Sequence, residues 1–385
     1  MGGATMNQLL RNARRKKGWS QQQLADFAGL SLSTIQRAER GKPIRIDSIQ
    51  RICECFQQTP EQLGLIRSNE KDQNSSEVPH KLQQKQPDNI LCSDYLSILE
   101  NDIKSRWSLY HTGGANLAYQ GLDLLLDHIT KCMYTLKGDD LYPKVLTLLS
   151  MGYQLQGSIL RDLTRYTAAH IAHRKALLIA QKLFDPELIS AALVREGITL
   201  NQQELPVEAI TYFERALETI KYLGYSTLEG YILQALSEAQ AKARQSQESW
   251  KSINLAEEIL EKRKSTPERS LTRFNQASLT AQKGVNAMYL GKYKQAIELI
   301  DKSLINYDPT LVRGRARLLA QKAEAYFKLG IIDACVLNLK EAYTLARSSG
   351  SSKVINKVKA LYNNLTQSKW RKDWYVAEIN HLIGE

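Results

Sequence analysis

The sequence predicts an all-α chain in two parts, a small domain of five short helices followed by a long solenoid of paired helices. Three observations carry this. Two capping signals, Ser20 and Ser31, stand eleven residues apart in "SQQQLADFAGLSLSTIQRAERGK" (residues 20–42), with a lone glycine between them. Residues 67–89, "RSNEKDQNSSEVPHKLQQKQPDN", almost lack apolar side chains. Beyond them, small residues recur in fixed register through residue 342.

The five short helices follow from caps and breakers. Residues 6–17 are amphipathic, with Leu9, Leu10 and Ala13 on one side. Ser20 and Gln23 form a capping-box pattern ahead of Leu24 and Ala25. Gly29 stands where the chain must turn, and Ser31 opens the next helix, with Ile35 and Ala38 buried. Gly41 ends that helix and Pro43 prevents its continuation. Asp47 opens "DSIQRICECF", whose stripe is Ile49, Ile52, Cys53 and Phe56. Thr59 and Pro60 then start a last short turn. Residues 1–5 read as a disordered lead-in, 6–66 as the first domain, 67–89 as a flexible linker and 90–385 as the solenoid. A coil of the linker's length spans about 25 Å.

The solenoid shows itself in its spacing. Gly157, Ala169 and Ala176 are separated by twelve and seven residues, as are Gly197, Ala209 and Ala216. Ser237, Ser249 and Ala256 repeat the spacing, then Gly284, Ala296 and Ser303, then Ala323, Cys335 and Ala342. Successive sets are offset by 40, 40, 47 and 39 residues. Small residues at fixed places let paired helices approach closely, and a period of this size means stacked helical hairpins. Residues 90–137 are expected to form a further, degenerate hairpin, and residues 351–385 to cap the array.

Composition narrows the function. Hydrophobic residues make up 43% of the 385, enough for a sizeable core. No apolar run approaches the roughly 18 residues of a membrane span, and residues 1–19 lack a signal peptide's apolar block. Met6 is as good a start as Met1. The net charge is +12, and residues 1–66 hold ten Lys/Arg against five Asp/Glu. Half of those ten stand in "RNARRKK" (residues 11–17), a phosphate-facing patch or a solvated helix face. Five scattered cysteines fit a reducing cytosol, and Cys53 is expected in the core rather than in a metal pair with Cys55. No Gly-x-x-x-x-Gly-Lys, Gly-x-Ser-x-Gly or His-Glu-x-x-His occurs, so neither enzyme activity nor a cofactor is expected. His170 and His173 share a helix face without an evident third ligand, and read as packing or surface residues.

Gln21, Leu24, Ala25, Gly29, Ser31, Ile35, Glu39 and Gly41 resemble the Cro/repressor-type (XRE family) helix-turn-helix over about residues 6–65. The resemblance implies a recognition helix whose Leu32, Ser33, Gln36 and Arg37 face base edges, Arg37 suiting guanine. Gln21 and Ser31 stand at helix N-termini, where a phosphate can be held. Arg40, Lys42 and Arg45 follow toward the DNA backbone, with Arg15, Lys16 and Lys17 as further candidates. Arg14 and Glu39 occupy positions that pair internally in relatives.

"GITLNQQELPVEAITYFERALETI" and "GVNAMYLGKYKQAIELIDKSL" resemble the tetratricopeptide repeat, over about residues 142–350. The period exceeds the usual figure of about 34, so these helices are longer. A helix-turn-helix followed by such an array resembles the peptide-responsive quorum-sensing regulators of bacteria. That resemblance implies a double-stranded DNA operator, a homodimer held through the array, and a short peptide in its groove. The groove positions are Gln154, Ser158 and Arg161, then Val194, Ile198 and Asn201, then Gln234 and Glu238. Val285, Met288 and Tyr289 follow, then Arg317, Glu324 and Phe327. Asn201 and Gln234 suit a peptide backbone, and Arg161 or Arg317 a carboxylate. The alternative is an array that only dimerises or docks a protein partner.

Overall fold

The computed structural model describes residues 7–56, 58, 60, 62–65, 89–262 and 268–383, and every regular element among them is a helix. The chain divides into two compact units, residues 1–84 and 85–385. The expected lead-in and residues 67–88 of the expected linker lie outside the described residues. Asn89, expected in the linker, instead opens the first helix of the second unit.

The first unit holds α1 (Gln8–Lys16), α2 (Gln21–Ala28), α3 (Leu32–Glu39) and α4 (Ile46–Phe56). Asn7 caps α1 by accepting the Leu10 N–H at 3.1 Å, and its amide donates to the Leu63 and Gly64 carbonyls at 2.8 and 2.9 Å. One side chain thus ties the start of the unit to its end. Ser20 and Gln23 form the expected capping box, and Gly29 ends α2 at φ 61°. The fifth expected helix takes the form of turns at Pro60 and residues 62–65, and Thr59 lies outside the described residues. Leu10, Leu24, Ile35, Ile52 and Leu63 are fully buried together. Cys53, expected in the core, is only half-buried at its edge.

A polar network lies among these helices. Arg14 donates to Glu39 from Nε at 2.5 Å and from Nη2 at 3.2 Å, as the sequence anticipates. Its Nη1 donates to the Trp19 carbonyl at 2.7 Å, and Gln21 Nε2 donates to Glu39 Oε2 at 2.6 Å. Burial by itself would raise the Glu39 carboxyl, but hydrogen bonds from Arg14 and Gln21 and the Arg14 charge hold it below its ordinary value.

The second unit opens with α5 (Asn89–His111), α6 (Ala115–Tyr119) and α7 (Leu122–Thr135), where a single degenerate hairpin was expected. Five hairpins follow: α8 (Tyr142–Asp162) with α9 (Tyr166–Lys182), α10 (Pro186–Gln202) with α11 (Pro206–Ile220), and α12 (Ser226–Lys242) with α13 (Ser246–Lys262). Next come α14 (Gln276–Tyr289) with α15 (Tyr293–Ile305) and α16 (Val312–Leu329) with α17 (Ile332–Ser348). Helices α18 (Ser352–Gln367) and α19 (Trp374–Ile383) cover the last hairpin, as the sequence predicts for a cap.

The small residues work as expected. A Cβ built on Gly157 would lie 2.5 Å from the His173 ring, and one on Gly197 2.6 Å from the Phe213 ring. One on Gly284 would meet Ile300 at 2.8 Å. In each case the contact falls sixteen residues on, in the second helix of the same hairpin. His173 is therefore a packing residue, neutral and fully enclosed, its pKa pushed well down by burial and then by Arg161 and Arg195. His170 is a linker between hairpins, 2.7 Å from Glu196 Oε1 and 2.6 Å from Gln203 Oε1.

The array returns on itself. A Cβ on Gly113, after α5, would lie 3.0 Å from Ser349 Cβ, at the end of α17. Arg313 of α16 stacks over the Tyr110 ring of α5 at 3.7 Å and sits 3.6 Å from Asp162 of α8. Ser351 donates to the same carboxylate at 3.2 Å. First and last elements thus meet around a partly open space.

Two predictions follow from this packing. Leaving Arg14 buried without its partner costs about 3–5 kcal/mol. Glu39→Ala should therefore quicken amide hydrogen exchange across α1–α3 in the full chain, and unchanged exchange would refute the network's role. Because the Glu39 pKa is lowered, its contribution is present above the ordinary value of 4.5 and lost as pH falls through the folded value. Gly197→Ala presses a methyl into Phe213 and should cost about 1–3 kcal/mol, offset by about 1 kcal/mol of helix propensity. Adding Phe213→Leu should recover stability in thermal unfolding; further loss would place the strain elsewhere.

Candidate functional site

Helix α3 divides its faces cleanly. Ile35 and Ala38 lie in the core, while Ser33, Arg37 and Arg40 are exposed and Leu32 and Gln36 half-buried. The expected reading residues therefore share the outward side. Ser31 is exposed and caps the helix: its Oγ accepts the Thr34 N–H at 3.3 Å and lies 2.8 Å from both Ser33 Oγ and Thr34 Oγ1. The Gln21 side chain is likewise directed to Glu39, which leaves its backbone N–H at the helix start as the anion-facing group. Arg37 Nη2 donates to the Pro43 carbonyl at 3.2 Å, which holds the guanidinium over the C-terminal end of α3. Beyond Gly41, at φ 66°, Lys42 and Arg45 continue the exposed basic run. Arg15, Lys16 and Lys17 are exposed at the end of α1. Arg51 of α4 was not anticipated: it is exposed and donates to the Gly29 carbonyl at 3.2 Å, beside the turn between α2 and α3.

The second unit holds two partly open cavities of about 330 and 410 Å³, within the size range of small-ligand sites. They share Gln202, Glu238, Arg317, Lys353 and Val354 as walls. The structure brings ten of the fourteen expected groove residues to them. Arg161, Asn201, Gln234, Glu238 and Arg317 line the first, and Glu238, Tyr289, Arg317 and Glu324 the second. Ser158 and Ile198 also reach the first and Phe327 the second. Gln154 does not: it is buried between hairpins, donates to Ser150 Oγ at 3.2 Å and accepts from Arg195 at 2.6 Å. Val194, Val285 and Met288, also expected inward, pack in the hydrophobic core.

Charge dominates the walls. Arg317 lies 3.4 Å from Glu238, whose carboxyl burial would raise but Arg317, Lys242 and Lys353 hold low. Burial pushes the Lys353 amine down to about 7, with Arg317 adding to the shift and Glu238 and Asp162 opposing it. Burial, with Arg313, Arg273 and Arg195 behind it, lowers His111 to about 3, so this imidazole is neutral. Burial raises the Tyr289 phenol, which accepts a hydrogen bond from Gln321 at 3.2 Å. Arg195 is stacked on Trp107 at 4.7 Å and donates to Ser270 O at 2.5 Å, fixing the segment before α14. Polar atoms of wall residues without a hydrogen-bond partner among the described residues are His111 Nε2, Ser158 Oγ, Asp162 Oδ2, Asn201 Oδ1, Gln202 Oε1, Gln234 Oε1 and Gln321 Oε1. No group of His, Cys, Asp and Glu among the described residues is arranged to hold a metal, and no described helix is long and apolar enough to cross a membrane.

Trp107, Tyr110 and His111 of α5, Arg313 of α16 and Lys353 of α18 were not foreseen as wall residues. Their only sequence signal was aromatic or basic character.

Three solved structures are similar to this chain. One is a Rap protein complexed with Competence and Sporulation Factor, at TM-score 0.51 and 12% identity, covering 89% of this chain and 79% of that one. Another is BtubC (BKLC) from P. vanneervenii, at 0.42 and 14%, covering 60% and 90%. The third is Bacillus thuringiensis PlcR in complex with the peptide PapR7 and DNA, at 0.39 and 11%, covering 95% and 100%. No curated protein matches the sequence. Residues 10–63 match the helix-turn-helix family model, so the first unit, whose α2 and α3 are joined through the Gly29 turn, carries a helix-turn-helix domain.

Proposed function

We propose that the protein is a sequence-specific DNA-binding transcriptional regulator whose repeat domain dimerises and binds a short signalling peptide that modulates DNA binding. The observation that carries the reading is the pairing of an outward α3 face, in a unit matching the helix-turn-helix family, with a partly open cavity whose lining residues carry unpartnered polar atoms. A buried polar atom without a partner is costly, so several on one wall argue for a ligand that supplies the missing bonds. The Rap structure, of related fold, carries a bound factor, which supports a ligand in this array.

On the DNA, Leu32, Ser33, Gln36 and Arg37 enter the major groove. Arg40, Lys42, Arg45 and Arg51 lie toward phosphates, together with the N–H groups at the start of α2. Paired half-sites require two copies, and the second unit supplies the dimer contact. Ligand binding tightens the array and changes how often both DNA-binding units engage at once. An array that only dimerises or docks a protein is the second reading, favoured by Phe184 and Tyr222, which are 89% and 93% exposed at turns between hairpins.

Arg37→Ala should cost about 1–3 kcal/mol of specific DNA affinity and relax one base position, as read by selection from a randomised duplex pool. Unchanged base preference would move the reading register off Arg37. Repeating the selection with peptide fractions from the same culture tests the switch. A fraction that changes operator occupancy supports the peptide reading, and indifference to every fraction favours the docking platform.

A further inference from the structure

The charge of the first cavity is out of balance. Arg161, Arg195, Arg313, Arg317 and Lys353 line it, against the carboxylates of Asp162 and Glu238, while an exposed Arg273 faces an exposed Asp308 at the rim. Two of the cations are matched: Arg313 by Asp162 at 3.6 Å and Arg317 by Glu238 at 3.4 Å. Arg195 is satisfied by neutral acceptors, the Gln154 amide oxygen at 2.6 Å and the Ala191 and Ser270 carbonyls at 3.0 and 2.5 Å. Arg161, only 8% exposed, donates to the Arg195 carbonyl at a long 3.4 Å. Glu196 feels Arg161 from outside the cavity, but its carboxylate is engaged by His170 at 2.7 Å. Lys353 faces Arg317 and Arg161 as well as Glu238 and Asp162. Arg161 and Lys353 therefore lack a carboxylate of their own, and desolvated charge in that condition favours an incoming counter-charge.

A second observation fixes what else the ligand carries. Asn201 Oδ1, Gln202 Oε1 and Gln234 Oε1 are acceptors without donors among the described residues, and Asn201 is only 4% exposed. Gln234 cannot exchange its ends, because its Nε2 donates to the Ser278 carbonyl at 2.9 Å. The same wall thus asks for N–H donors and for negative charge. Inorganic anions supply only the second, whereas an acidic peptide supplies both.

We infer that the cavity recognises its peptide through a carboxylate seated between Arg161, Lys353 and Arg317, while Asn201, Gln202 and Gln234 accept the peptide's N–H groups. This rests on the peptide-binding reading above and names the chemistry that reading requires. An Arg side chain receives a carboxylate in fork geometry, and a Lys adds a point charge beside it. The carboxylate belongs either to the peptide's C-terminus or to an Asp or Glu side chain.

The test uses the full chain and four random heptapeptide pools. The pools have a free or an amidated C-terminus, each with Asp and Glu included or left out. Bound peptides are recovered by gel filtration and counted by mass spectrometry. At least one carboxylate-bearing pool should be retained ten-fold or more above the amidated pool lacking Asp and Glu. Retention of the free-terminus pool without Asp and Glu assigns the C-terminus, and retention of the amidated pool with them assigns a side chain. Arg161→Met and Lys353→Met should abolish the preference. Lys353→Met should also raise the melting temperature of the ligand-free chain, since it removes an unmatched charge. Equal retention of all four pools overturns the carboxylate site and leaves the peptide reading standing. A fall in melting temperature with Lys353→Met likewise overturns the charge imbalance. No retention of any pool overturns the peptide reading and this inference with it.

Discussion

The second unit depends on one steric constraint, the close approach of two helices at a residue without bulk. Gly157, Gly197 and Gly284 each receive a side chain from sixteen residues on, at distances that leave no room for a Cβ. The same register places Ser237 opposite Ile253 and Ala323 opposite Leu339, all of them fully or nearly fully buried. Fixed approach within each hairpin makes the hairpins similar, and similar hairpins stack with a steady rotation. Steady rotation bends the array until α5 meets the end of α17. Tyr110, Arg313, Asp162 and Ser351 then meet, although Asp162 and Ser351 stand 189 residues apart. The cavity is thus a consequence of helix packing summed over five hairpins.

The first unit depends on a polar constraint instead. Glu39 sits on the buried side of α3 and receives Arg14 from α1 and Gln21 from α2. Three helices are oriented through one carboxylate, which a small apolar core cannot do with the same directionality. The outward side of α3 is left polar and basic as a result. The network also engages the Gln21 side chain, whose amide donates to Glu39 at 2.6 Å.

What the sequence made legible follows from the range of each interaction. The capping boxes, the Gly29 turn and the repeat register are set by residues within about one helix length of each other, and each of these was readable. Ten of the fourteen groove positions were readable because a repeat puts the same helix face inward every time. Gln154 was misplaced by that same logic. It occupies the inward register, but Arg195 draws it into the packing between hairpins at 2.6 Å. Arg313, Lys353 and the α5 aromatics were invisible because their roles depend on closure of the array, which no local pattern records. The last short helix was overread: the Asn7 amide takes up the Leu63 and Gly64 carbonyls at 2.8 and 2.9 Å, and the described backbone there runs as turns.

Closure also explains how a repeat protein comes to hold unmatched charge. In an open groove Arg161 and Lys353 would face water, and their surplus charge would cost little. Bringing α16 and α18 back against α8 removes that water and sets Arg317, Arg161 and Lys353 against one another, which burial registers as a depressed Lys353 amine. The contacts that close the array, Arg313 with Tyr110 and Asp162, therefore work against the repulsion inside it. A ligand that neutralises the interior relieves that opposition and favours the closed form, so binding and closure are coupled through the same few side chains.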